Sequence, residues 1–229
     1  MKIKKQLLVL TLIGVLFSSC NTEEPKLNLD LNLNTLEGKW LINNSTEYDF
    51  IEFTNEGIFF INKKEVTNDP DFSNFSIYEI VNDNIIGIAN LGAIFVNNLT
   101  EFKMDFVLEL SDNTQINLTA NKTSFISESE RTALISKIWG IESINGLEND
   151  LGILLFSKSG TFYEIRSNIK FGEWNWCNNE ETKVSITTNS SSLDCTNNQV
   201  IENITLTDNS FTGIDKRNGT PETIILKTD

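Results

Sequence analysis

The 229-residue chain carries 18 Lys and Arg against 32 Asp and Glu, a formal net charge of −14. That balance repels nucleic acid and anionic headgroups and argues against both as partners. The absence of histidine removes the commonest general base and the commonest metal ligand. Apolar residues make up 39%, with fifteen Phe and four Trp, enough for packed cores rather than a disordered tail.

The chain opens with Lys2, Lys4 and Lys5, continues through an uncharged apolar run from Leu7 to Phe17, and reaches Cys20 after Ser18 and Ser19. This is the pattern of a signal peptide, and the run is too short to span a bilayer. Phe17-Ser18-Ser19-Cys20 resembles the lipobox of bacterial lipoproteins. The resemblance implies cleavage before Cys20 and acylation of its sulfur and amine. Residues 1–19 are then a signal peptide and 20–34 a lipidated tether. Loss of the leader leaves 15 basic against 32 acidic residues, or −17. One acyl chain holds a protein only marginally, whereas two or more anchor it stably. The expectation is an outer-membrane lipoprotein of a Gram-negative bacterium, periplasmic or surface-facing, with its folded part in water. Asn21-Thr22-Glu23-Glu24 resembles the acidic signals that send some such proteins to the cell surface.

Leu27, Leu29, Leu31 and Leu33 alternate with polar residues, so this stretch reads as an edge strand or as tether. An internal repeat follows. Trp40 and Trp139 lie 99 residues apart, and each precedes a segment F-[ST]-x-x-G-x-F, Phe53 to Phe59 and Phe156 to Phe162, offset by 103. Each segment reads as a hairpin in which glycine supplies the positive φ of the turn. In the first unit, Phe75–Val81, Asn84–Ala89, Ala93–Val96, Phe102–Leu110 and Thr114–Thr119 read as further strands. In the second, Gly172–Cys177, Lys183–Thr188, Val200–Thr207, Ser210–Ile214 and Glu222–Lys227 do so. Between the units, Ser127-Glu128-Ser129-Glu130 matches a capping box capped by Ser127, and Ala133, Leu134, Ile138 and Trp139 recur at helical spacing. The expected fold is all-β: two small antiparallel barrels or sandwiches, 35–126 and 127–229, with one short linking helix covering the second.

With Cys20 lipidated, Cys177 and Cys195 remain, and an even pair in an exported chain points to a disulfide. No further soft ligand suits a metal site, and no close C-x-x-C spacing suits redox chemistry.

Leu36-Glu37-Gly38-Lys39-Trp40, the I-E-F-T-x-x-G-x-F strand from Ile51 to Phe59, and Gly172-Glu173-Trp174 together resemble the short lipocalin-like domains of bacterial surface lipoproteins. The resemblance covers residues 35–229 as two copies. It implies small antiparallel barrels, and its full-length relatives hold small apolar ligands inside. The copies depart from the pattern in two places: glycine is missing two residues before Trp139, and the first copy lacks the G-x-W found at Trp174.

Trp40, Trp139, Trp174 and Trp176 are the candidate ligand-binding residues. Trp174 and Trp176 share one strand face and could stack on a sugar or lipid, and core packing is the competing role for all four. The carboxylate pairs Glu23–Glu24, Asp69/Asp71, Glu148/Asp150 and Glu180–Glu181 fall in polar turns, and the sequence carries no phosphate loop, nucleophile elbow, zinc spacing or EF-hand register. No catalytic residue, metal or cofactor is expected. The leading expectation is a non-catalytic binding module for a small apolar or glycan ligand. The alternative is a protein-contacting or adhesion module with solid barrels, since large Phe and Trp side chains tend to fill barrels this small. A hydrolase would need two carboxylates on inward strand positions, for which Glu52, Glu101 and Glu109 are the mid-strand candidates.

Overall fold

The computed structural model describes residues 29–63, 75–148, 152–166, 169–188, 193–196 and 199–228. The leader, Cys20, Glu23, Glu24, Asp69, Asp71 and Asp150 lie outside them. The chain is all-β, two eight-stranded antiparallel barrels in tandem, with two short helices among the described residues. Barrel 1 follows helix α1 (Leu33–Leu36) and runs β1 (Gly38–Ile42), β2 (Tyr48–Phe53), β3 (Ile58–Lys63), β4 (Phe75–Asn82), β5 (Ile85–Ile88), β6 (Gly92–Leu99), β7 (Lys103–Leu110) and β8 (Gln115–Lys122). It closes through β8 on β1, with Trp40 opposite Lys122. After α2 (Glu130–Ile135) comes β9 (Ile138–Ile144), whose end forms a hairpin with the two-residue β10 (Leu147–Glu148). Barrel 2 continues with β11 (Ile153–Phe156), β12 (Thr161–Ile165), β13 (Ile169–Trp176), β14 (Val184–Thr187), β15 (Val200–Leu206), β16 (Ser210–Asp215) and β17 (Glu222–Lys227), and closes through β17 on β9.

The repeat seen in the sequence is a repeat of structure. Each barrel starts with a short helix whose last residue, Leu36 or Ile135, is fully buried. Its carbonyl accepts the indole N–H four residues on, Trp40 or Trp139, at 2.9 Å in both copies. Each F-[ST]-x-x-G-x-F hairpin turns at a glycine with positive φ, +77° at Gly57 and +86° at Gly160. The Thr54 and Ser157 hydroxyls accept the Ile58 and Thr161 amides across the turn. Gly172-Glu173-Trp174 also has a counterpart, which is Ser76-Ile77-Tyr78. Tyr78 and Trp174 each donate their amide to the turn glycine's carbonyl at 2.8 Å. The Tyr78 hydroxyl and Trp174 indole then bond the Thr54 and Ser157 carbonyls. A tyrosine fills the tryptophan's role, which a search for G-x-W passes over.

Two expectations need correction at the helices. The cap of α2 is Ser129, not Ser127: its Oγ accepts the Thr132 amide at 3.0 Å, while Glu181 accepts from both serine hydroxyls. Ile138 and Trp139 belong to β9, because the helix stops at Ile135 and the closing tryptophan has to enter a strand. There is also a second helix at the end of the leucine alternation that read as an edge strand or as tether. Asn32 and Thr35 form a reciprocal capping box that starts α1, and Leu29 and Leu31 pack on the barrel 1 core.

The barrels sit side by side, joined through the outer faces of β2–β4 and β11–β13. Phe50, Ile58, Phe60, Leu155 and Tyr163 form a buried apolar seam, flanked by Phe75 and Phe171. Its contacts obey an approximate twofold. Phe60 and Tyr163 occupy equivalent positions and meet at 6.1 Å. Phe75 stacks on Tyr163 at 4.9 Å, and its counterpart Phe171 approaches Phe60 at 6.1 Å. Glu56, on the first hairpin turn, accepts the Ile138 amide at 3.0 Å. Ser159, on the second, accepts the equivalent Lys39 amide at 3.1 Å. The seam is therefore isologous, a symmetric dimer interface built within one chain. Because each hairpin turn meets the start of the other barrel, the helix-capped ends of both barrels lie on the same side.

Candidate functional site

The barrel interiors, where the family resemblance would put a ligand, are filled. Trp40, Phe53, Phe59 and Phe106 fill the first, and Trp139, Phe156, Phe162, Trp174 and Phe211 the second, each at most 1% exposed. Three of the four candidate tryptophans are thus core residues. Trp176 is partly buried, edge-on to Trp174 at 5.5 Å, with its indole N–H donated to Thr132 Oγ1 at 2.7 Å. It fastens α2 to the barrel wall beside the fully buried Trp174. In barrel 1 the Lys122 ammonium lies 5.2 Å from the Trp40 ring and donates to the Thr35 carbonyl, closing the α1 end with a cation–π contact.

At the end of barrel 2 away from α2, inward positions that are apolar in barrel 1 carry charge. Glu164, 1% exposed, takes the place of Ile61. Arg217 Nη1 bonds Glu164 Oε2 at 2.9 Å, and its Nε and Nη2 reach Asp215 at 2.9 and 2.7 Å. The guanidinium also lies 5.4 Å from the Phe162 ring centre. Burial raises the Asp215 carboxyl, but hydrogen bonds from Arg217 and its charge outweigh that and hold it below the usual aspartate range. Arg166 Nε stands 2.9 Å from Glu164 Oε1, close enough for ion pairing but out of line for a hydrogen bond. Lys170 lies 3.8 Å from the same oxygen. The sequence offered a signal that went unused: Glu164 shares strand parity with Phe162, and Asp215 with Phe211, so both had to point inward.

A second polar cluster lies where the barrels meet. Glu52 shares β2's outer face with Phe50, yet barrel 2 covers it to 1% exposure. Its carboxylate accepts from the Thr161 hydroxyl. Burial pushes this carboxyl up, against lowering by Lys39, Ser157 and Thr161. Beside it is a crevice of about 10 Å³ lined by Phe53, Ser136, Ser157, Lys158 and Ser159, room for roughly one water. Lys158 pairs with Glu37 across the junction at 3.0 Å. A carboxyl whose folded value is raised contributes its stability below the ordinary glutamate range and loses it as pH rises through the raised value. Glu52→Gln should therefore flatten the decline of stability that urea melts show as pH rises above the ordinary glutamate range. An unaltered pH profile would contradict this.

The three hydrolase candidates do not converge. Glu52 is in the seam, Glu101 is on the exposed β6–β7 turn, and Glu109 lies on β7 bonded to Gln115. Glu164 and Asp215, which do face inward, are both held by Arg217. Among the described residues no three Cys, Asp or Glu side chains group to hold a metal.

The Cys177–Cys195 disulfide is formed, with Cα atoms 5.4 Å apart, and ties the end of β13 to the β14–β15 connection. Lys183 donates to the Cys195 carbonyl at 2.8 Å and secures the same connection. Replacing both cysteines by serine should cost on the order of 3 kcal/mol for a loop of this length. A denaturation midpoint unchanged by reduction would contradict that figure.

No known family model matches the sequence, and no curated protein matches it.

Proposed function

We propose that this chain is an exported lipoprotein, anchored through acylated Cys20 in the outer membrane of a Gram-negative bacterium, and that it works without catalysis. Its two barrels form a rigid module that engages a protein or glycan partner through the outer surface. The observation that carries this reading is the filling of both interiors by Trp and Phe side chains, which supports surface contact over carriage of a small apolar ligand. The lipobox-like Phe17-Ser18-Ser19-Cys20 and the short apolar run before it support the anchor. The −17 charge of residues 20–229 favours solubility at a crowded surface and disfavours nucleic acid.

Titration of the unlipidated chain with a fluorescent fatty acid tests the choice between surface and interior. A solid module gives no saturable uptake. Saturation at one or two molecules per chain would return the proposal to ligand carriage.

A further inference from the structure

Six large apolar side chains remain exposed among the described residues, and three of them stand at one end of barrel 1: Leu33 at 47%, Val81 at 56% and Phe102 at 66%. Leu33 opens α1. Phe102 sits on the β6–β7 turn, where its carbonyl accepts the Lys122 amide at 2.9 Å. The Lys122 side chain in turn reaches the Thr35 carbonyl of α1 at 3.1 Å. Val81 precedes the β4–β5 turn, whose Asn84 carbonyl accepts the Val96 amide of β6. The three residues thus follow the rim formed by α1 and the β4–β5 and β6–β7 turns, away from the seam with barrel 2.

The chain enters the fold at this rim, with Leu29 and Leu31 packed on the barrel 1 core just before α1. Cys20 precedes Leu29 by nine residues, a span of at most ~30 Å when fully extended. An anchor on so short a leash keeps this rim within reach of the bilayer surface. Asp30, Asp83 and Glu101 surround the rim, and the exposed Lys103 beside Phe102 is paired with Asp105 at 3.1 Å, so the rim opposes anionic headgroups and the fitting surface is zwitterionic.

We propose that this end of barrel 1 faces the membrane and that Leu33, Val81 and Phe102 rest in the interfacial layer of a zwitterionic phospholipid surface. The proposal rests on the reading of Cys20 as the acylated residue. It fixes the orientation of the whole module, because the helix-capped ends of both barrels lie on one side. The opposite ends, with the Arg217 cluster in barrel 2 and the β7–β8 turn in barrel 1, then point into solvent where a partner is met.

The test uses the full lipidated chain in phosphatidylcholine vesicles, with a nitroxide on Phe102→Cys or, at the opposite end, on Asp112→Cys. Only the introduced cysteine takes the label, because Cys177 and Cys195 are paired and Cys20 is acylated. The expected result is a chain that floats with the vesicles. Its label at position 102 collides more with oxygen than with a water-soluble nickel chelate, and the label at 112 does the reverse. Val81→Cys should repeat the behaviour of position 102, which guards against a local effect of one substitution. A floating chain whose labels at 102 and 112 meet the chelate equally would overturn the proposal and leave the anchor standing. A chain that does not float would overturn the anchor, and the orientation with it.

Discussion

Arg217→Ala is expected to destabilise the second barrel by about 3–5 kcal/mol, the cost of removing one partner from a buried ion pair. Arg217 carries the hydrogen bonds to both Glu164 and Asp215 and packs on Phe162. Without it, Asp215 keeps only the residue 217 main-chain amide at 3.0 Å, and Glu164 is left with the misaligned Arg166 and the distant Lys170. The loss should be steepest at neutral pH. Asp215 has a lowered folded-state value, so its contribution is present above the ordinary aspartate range and disappears as pH falls through the lowered value. Replacing the whole cluster, with Glu164→Ile, Asp215→Leu and Arg217→Leu, should recover most of the loss, since barrel 1 closes with Ile61 at the Glu164 position. Urea melts of the two variants make the comparison. A loss below ~1 kcal/mol for Arg217→Ala would mean that water, not Arg217, solvates these carboxylates.

The second large effect is expected at the seam. Phe60 and Tyr163 meet on the approximate twofold, fully or nearly fully buried. Truncating a buried aromatic to alanine costs about 3–5 kcal/mol. Two truncations in contact do not add, because the second enlarges a cavity the first has opened. The double variant Phe60→Ala, Tyr163→Ala should uncouple the barrels while leaving each core whole. Calorimetry would then show two transitions where the parent shows one. Two transitions already present in the parent would contradict the seam's role in coupling the barrels.

Much of the fold follows from local pattern. Strand alternation, the paired F-[ST]-x-x-G-x-F hairpins and the spacing of Trp40 and Trp139 point to two barrels because each is a short-range consequence of side-chain size and turn chemistry. The departures have physical reasons as well. Asn32-x-x-Thr35 is a capping box hidden inside an alternating leucine run, and reciprocal capping wins over a strand period that has no neighbouring strand to pair with. Tyr78 replaces Trp174 because either ring can fill the space and offer one hydrogen to a turn carbonyl. The inward charges Glu164 and Asp215 were legible from strand parity. Glu52 was not: on β2 it reads as an outward, solvated residue, and only the docking of barrel 2 buries it. The seam itself has no sequence signature beyond an excess of aromatics on the outer faces, since side-by-side packing depends on how two finished barrels meet.

On the proposed function, two filled barrels sealed into one body bind a partner only from outside. Native mass spectrometry tests this most directly, on the unlipidated chain purified from the periplasm and weighed before and after mild unfolding. The expected mass is that of the polypeptide alone, lower than the fully reduced chain by the two hydrogens of the Cys177–Cys195 bond. A small-molecule mass that travels with the folded chain and leaves on unfolding would contradict it.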